Sequence, residues 1–283
     1  MIVDFHTHVF SSAVLQRRAE FAERDRWFGH LNPEGSRRLA SPRRLVAAMD
    51  EAGIDVAVAL SFGWADQEIC VEQNECVLEA AARFPRRVVP FCAVQPLAGA
   101  AAVAELERVA RRGCRGVGEL FPDGQGFSLD DRAVLAPVLE ACAALDLLLL
   151  VHGSEPVGHE YPGKGRSTPD RLLGLARLAR DVAPGLRLVY AHLGGGLPFY
   201  ELMPEVEESL RNVWYDTGAA SYLYRPEALT HAAGIVGSKL LFGSDFPVIR
   251  LPRMTAYAAQ AALSEAQRTA LMGDNAARLL GLP

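Results

Sequence analysis

The stretch that decides the fold is Met1-Ile-Val-Asp-Phe-His-Thr-His8, a short apolar run closing in two histidines one residue apart. Residues i and i+2 of a β-strand point to the same side. His6 and His8 therefore reach one point just beyond the strand. In parallel α/β folds the carboxyl ends of strands carry the chemistry, and two imidazoles there begin a metal site. Working outward, eight β-branched or leucine-rich runs appear, at 2–5, 54–60, 88–94, 116–120, 147–151, 186–191, 213–216 and 240–242. Most are continuously apolar rather than alternating, the mark of strands buried on both faces. Helix-like segments separate them, among them 42–52, 66–84, 100–112, 130–144 and 169–182. Several end at Gly53, Pro85, Gly113 or Pro184, and Ser128 with Asp131 offers a start resembling a capping box for the fourth. Eight β/α alternations predict an α/β fold, a (β/α)8 barrel formed as one domain over 1–283. The longest irregular connections, 9–41 and 153–168, follow the first and fifth strands, where substrate loops belong.

Polar residues close these apolar runs. The fourth strand carries Glu119, the fifth ends in His152, the sixth in His192 and the eighth in Asp245. Four of the seven histidines thus stand at strand ends, where an uncompensated polar group costs about 2–7 kcal/mol. A barrel gathers its strand ends on one face, so His6, His8, Glu119, His152, His192 and Asp245 can converge. Imidazole and carboxylate ligands suit Zn²⁺, expected first, with Mn²⁺ or Fe²⁺ as alternatives. For Glu119 the competing reading is a buried salt bridge to an arginine.

With these residues in view, the chain resembles the amidohydrolase superfamily, in particular the amidohydrolase-related group that contains aminocarboxymuconate-semialdehyde and resorcylate decarboxylases. The resemblance rests on Asp4-Phe-His-Thr-His8, Val151-His-Gly, Ala191-His-Leu-Gly-Gly195, Gly243-Ser-Asp-Phe-Pro247 and Asp274-Asn-Ala-Ala-Arg-Leu-Leu-Gly281. It implies that His6, His8, His152 and Asp245 hold one ion while His192 faces substrate or water. In two-metal branches a carboxylate at this strand bridges two ions. Here that arrangement would set His6, His8, Glu119 and Asp245 on one ion, and Glu119, His152 and His192 on the other.

A divalent ion lowers the pKa of bound water towards about 7. The first expected function is therefore hydrolysis of a small cyclic or carboxylated amide, lactone or ester. Asp245 would shuttle the proton and His192 would stabilise developing negative charge. The alternative is a metal-dependent decarboxylase of a small unsaturated or aromatic acid. A TatD-like nuclease ranks below both, and an inactive scaffold lower still.

Composition narrows the partners. Half the residues are hydrophobic and the net charge is −5, with no basic block to track a phosphate backbone. A small-molecule substrate is expected, without nucleic acid or membrane; association with further copies of the chain is compatible with the composition. No apolar run approaches the ~20 residues of a membrane helix, and Met1 leads straight into a strand, so a cytoplasmic protein without signal peptide is expected. The odd set of cysteines (Cys70, Cys76, Cys92, Cys114, Cys142) lacks Cys-x-x-Cys spacing and reads as reduced core.

Further substrate contacts are expected from the two long loops. His159, Tyr161 and Lys164 lie beyond His152, with Glu155 beside them, and Lys164 could neutralise an anionic substrate. Trp27 and His30 follow the first strand. Trp64, Tyr222 and Arg225 are candidate rim residues; a solvated loop or lid packing is the competing account of all these. The Gly194-Gly195-Gly196 run lets the backbone turn tightly beside His192.

Overall fold

Continuous apolar runs need cover on both faces, and the chain provides it by winding helices around a parallel sheet. The computed structural model describes residues 1–35 and 38–283. The strands are β1 (Val3–His8), β2 (Val56–Leu60), β3 (Val88–Cys92), β4 (Gly116–Leu120), β5 (Leu148–Val151), β6 (Leu188–Tyr190), β7 (Val213–Asp216) and β8 (Leu240–Leu241). They lie side by side in sequence order, every pair parallel. The barrel closes where Phe5 N donates to Phe242 O (2.7 Å), His8 N to Phe246 O (2.6 Å) and Asp245 N to His6 O (2.8 Å). The expected (β/α)8 barrel is the observed architecture.

One apolar cluster fills the barrel. It includes Val3 and Phe5 of β1, Leu60 of β2, Phe91 of β3 and Leu150 of β5. A larger cluster lies between strands and helices. A glycine in β4 admits a neighbouring ring: a Cβ on Gly116 would stand 2.4 Å from the Phe91 ring, so Phe91 occupies that space. The bottom is plugged by the helix Asn275–Leu280, which adds Ala276, Leu279 and Leu280 to the interior cluster. Asn275 Nδ2 donates to Gly237 O (2.7 Å) and Leu240 O (2.8 Å). The C-terminal motif is therefore a structural plug, far from the strands' carboxyl ends.

Two pairing irregularities matter for the site. Val3 and Phe5 point inward, so strict alternation would aim His6 and His8 at the helices. The β1–β2 register slips between Asp4 and Thr7, and the β4–β5 register slips between Val117 and Leu120. Slips of this kind re-aim the side chains that follow, here His6, His8 and Glu119.

The 9–41 connection is not irregular throughout. It holds three short helices, Ser12–Gln16, Arg18–Arg24 and Arg26–Leu31, each too short to show a periodic pattern. They bury Phe10, Phe21, Phe28, Phe62 and Trp64 in one cluster over the barrel mouth. Ser36 and Arg37, within that connection, lie outside the described residues. The Arg132–Ala144 helix starts two residues later than its sequence suggests: Asp131, not Ser128, accepts from Val134 N (3.2 Å), and Ser128 bonds Asp130 instead. Among the described residues no helix is long and apolar enough to cross a membrane. The five cysteines are free, and burial pushes the Cys70 and Cys142 thiols up, away from nucleophilic use.

Candidate metal centre

His6 Nε2 and His8 Nε2 stand 3.1 Å apart at the end of β1. Glu119 Oε2 lies 3.6 Å from the first and 3.4 Å from the second. Asp245 Oδ1, just past β8, is 3.6 Å from both. Two donors bound tetrahedrally at ~2.0–2.2 Å stand about 3.3–3.6 Å apart, so His6, His8 and Glu119 have the spacing of a ligand set, and Asp245, at the same reach from both histidines, is the fourth member of this quartet. The other Glu119 oxygen, Oε1, faces His152 Nδ1 (2.9 Å) and His192 Nε2 (3.5 Å), and those two nitrogens are 3.2 Å apart. Glu119 belongs to both groups.

The outward nitrogens settle where the protons sit. His6 Nδ1 donates to Asp216 Oδ2 (2.9 Å), His192 Nδ1 to Gly218 O (2.8 Å) and His152 Nε2 to Gly163 O (3.0 Å). The inward nitrogen of each neutral ring then carries a lone pair, aimed at carboxylate oxygens that are also acceptors. Acceptors facing acceptors in a buried site require a positive charge between them. The donor set therefore fits a divalent cation at the quartet and a second at the Glu119–His152–His192 group. Without one, protons supply the charge. Burial disfavours a charged His192, but Glu119 and Asp245 outweigh it and raise its pKa to about 9. Burial likewise opposes charge on His6, yet Asp216 and Glu119 hold it well above 6.5. Burial would raise Glu119; His6 and His152 pull it well below 4.5 instead.

The backbone is bent to deliver these groups. His192 (φ 58) and Asp245 (φ 64) both occupy the left-handed region, which is costly for residues with a Cβ and concentrates at functional positions. The turn continues through Gly194, Gly195 and Gly196; a Cβ on Gly195 would lie 2.2 Å from Ser154 O. The glycine run thus serves close backbone packing beside His192.

Above the cluster is a cavity of about 320 Å³ with His8, Glu119, His152, His192 and Asp245 on its floor. Phe62, Phe121, Tyr161 and Ile249 form much of its wall. Phe121 packs edge-on to His152, ring centres 4.3 Å apart. Arg38 and Arg253 are the cationic residues at its edge.

All six expected ligands converge, and of the four expected substrate residues only Tyr161 lines the cavity. Its hydroxyl donates to Glu155 (3.0 Å), and burial raises its pKa. Lys164 turns away because its ammonium meets the carbonyls of Val157, Gly158 and His159 and the Glu160 carboxylate. His159 is exposed, stacked near Tyr161 and Tyr222. Trp27 stands behind Phe121 (5.1 Å) rather than against the cavity. Trp64 is buried under the first connection rather than on the rim. Sequence reasoning passed over Asp216 and Phe121. Asp216 carried the same signal as the ligands, a polar residue closing an apolar strand; Phe121 carried none.

Similarity to known proteins follows the same outline. The chain is 24% identical to a γ-resorcylate decarboxylase of Polaromonas sp. (strain JS666 / ATCC BAA-500), over 87% of this chain and 89% of that protein. The structure of 5-carboxyvanillate decarboxylase from Sphingomonas paucimobilis superposes with a TM-score of 0.82 at 19% identity, covering 100% and 99% of the two chains. The 5-carboxyvanillate decarboxylase of Novosphingobium aromaticivorans, solved with manganese and 4-hydroxy-3-methoxy-5-nitrobenzoic acid, gives 0.80 at 18% identity, covering 100% and 96%. The amidohydrolase family model matches residues 3–282, and the chain belongs to that family.

Proposed function

We propose that this protein is a metal-dependent carboxy-lyase that removes CO₂ from a small unsaturated or aromatic carboxylic acid. The observation that carries the reading is the cavity: about 320 Å³, with the ligand cluster as floor and Phe62, Phe121 and Tyr161 in its walls. A flat ring fits between such walls while its oxygens face the floor. The relatives named above, decarboxylases of aromatic acids, support this over the hydrolysis first expected.

His6, His8, Glu119 and Asp245 would hold the principal cation, Mn²⁺ or Zn²⁺, with His152 beside Glu119. A divalent cation there would polarise the substrate's oxygens and offset negative charge developing on them. Asp245, on the cavity floor, would take up a proton from water in the cavity and pass it to the carbon that bears the substrate's carboxylate. The C–CO₂ bond then breaks, its electron pair restores the unsaturated system, and CO₂ leaves. His192, which without a second cation beside Glu119 carries a proton on Nε2 as well as Nδ1, would steady the charge that builds on substrate oxygen during protonation. Anionic substrates would meet Arg38 and Arg253 at the edge, not Lys164.

One observation favours hydrolysis as a second reading: the two oxygens of Glu119 face different histidine groups, as a carboxylate shared by two cations would. Assay of Mn²⁺-loaded protein on hydroxylated benzoic acids and unsaturated dicarboxylic acids, beside lactones, amides and esters, separates the two. Release of CO₂ is expected, falling about a hundredfold or more in Asp245→Asn. Ester or lactone cleavage without CO₂ release reverses the order of the readings.

A further inference from the structure

Asp216 closes β7 in the centre of the barrel mouth, fully buried. Its Oδ1 accepts from His192 N (3.1 Å) and Gly218 N (2.8 Å). Its Oδ2 accepts from His6 Nδ1 (2.9 Å). Gly218 then accepts from His192 Nδ1 (2.8 Å). One carboxylate therefore orients His6 of the quartet directly and His192, one of the two histidines of the other group, through its own backbone N–H and through Gly218. The packing admits nothing more: a Cβ on Gly218 would lie 2.9 Å from Asp216 Oδ1, 3.0 Å from His6 Nδ1 and 3.2 Å from His192 Nδ1.

We infer that Asp216 is a positioning residue that sets the His6 tautomer, holding its proton on Nδ1 so that the Nε2 lone pair faces the cation site, and that it ties this ring to the turn carrying His192. The inference rests on the cation reading above.

The geometry makes the consequences of substitution specific. Two backbone N–H groups at Oδ1 demand an oxygen there. In Asp216→Asn the amide must therefore place its NH₂ at the Oδ2 position, against His6 Nδ1. Donor would meet donor unless His6 moves its proton to Nε2, which aims an N–H into the cation site. Asp216→Ala removes the acceptor without imposing a donor, so water can still take the Nδ1 proton. For cation affinity the isosteric variant is then worse than the truncation. A residue that only filled space would give the opposite order.

The test titrates Mn²⁺ into the wild type, Asp216→Asn and Asp216→Ala, following free Mn²⁺ by electron paramagnetic resonance. Outer partners of metal-bound histidines typically contribute 10–100-fold in affinity. A loss of roughly that size is expected in Asp216→Asn, with a smaller loss in Asp216→Ala. Equal affinities, or the reverse order, overturn the inference. Histidine ¹⁵N spectra of Zn²⁺-loaded wild type supply a readout that needs no variant to fold: the His6 proton is expected on Nδ1, and a proton on Nε2 overturns the assignment. If the wild type takes up no cation, the metal-dependent reading fails, while the ¹⁵N spectra of cation-free protein, followed to the pH at which His6 has become a neutral ring, still decide the role of Asp216.

Discussion

At the scale of single residues, Glu119 is the hinge of the site. Its Oε2 completes one group of donors and its Oε1 another, so it cannot be neutralised on one side alone. In Glu119→Gln one of the two oxygens becomes an NH₂, a donor aimed at a place where only acceptors fit a cation. Metal content per chain, measured by elemental analysis on protein purified without chelator, is expected to fall by one ion or more. Unchanged content would remove Glu119 from the ligand set and leave it the buried ion-pair role. All six candidate ligands were legible as residues because each interrupts or closes an apolar run. Asp216 was equally legible by that rule. Which nitrogen of each histidine faces inward was not, because that depends on acceptors such as Asp216, 210 positions from His6.

Among the elements, the loop after β5 is the one whose conformation the site depends on. Gly163 O on this loop accepts from His152 Nε2, so the loop's position sets the orientation of a candidate ligand. Lys164 holds the loop by bonding three carbonyls and Glu160, and Ser154 Oγ accepts from Gly165 N (2.9 Å). Lys164→Met leaves those carbonyls to water and loosens the segment locally. Limited proteolysis in the 157–160 stretch is expected to speed up by about tenfold, equivalent to ~1.4 kcal/mol of local opening. The melting temperature should hardly move, since no core contact is lost. Identical cleavage rates would show that the lysine does not restrain the loop. The sequence marked this loop as a source of substrate contacts, with Lys164 as the partner of an anionic substrate. It could not show that the lysine would satisfy the loop rather than a substrate, because a flexible side chain goes to whichever acceptors the backbone brings within reach.

For the whole molecule, a cation at the barrel mouth would join β1, β4 and β8, segments far apart in the chain, and should stabilise the fold by binding only its native state. At a hundred times the dissociation constant that contributes about 2.7 kcal/mol, a rise in melting temperature of roughly 5–10 °C. Chelation should reverse it. The pH dependence has a definite sign. His192 in the cation-free protein has its pKa raised from 6.5 to about 9, so the stability it contributes is fully present below about 6.5 and lost as pH rises through about 9. Protons compete with the cation for the same lone pair, so the rise caused by Mn²⁺ should grow from pH 7 to pH 9. Melting curves with Mn²⁺ and with chelator across that range test both; a rise that shrinks with pH would contradict the lone-pair assignment. By itself the sequence determined the barrel and the ring of polar strand ends, since apolar runs and their spacing act locally and parallel strands must end on a common face. Only the tertiary structure decided the rest. The register slips that turn His6, His8 and Glu119 into the mouth, the helices that bury Trp64, the cavity wall at Phe121 and the proton positions on the histidines all depend on atoms distant in the chain meeting within a few ångströms, where packing and hydrogen bonding outweigh local preference.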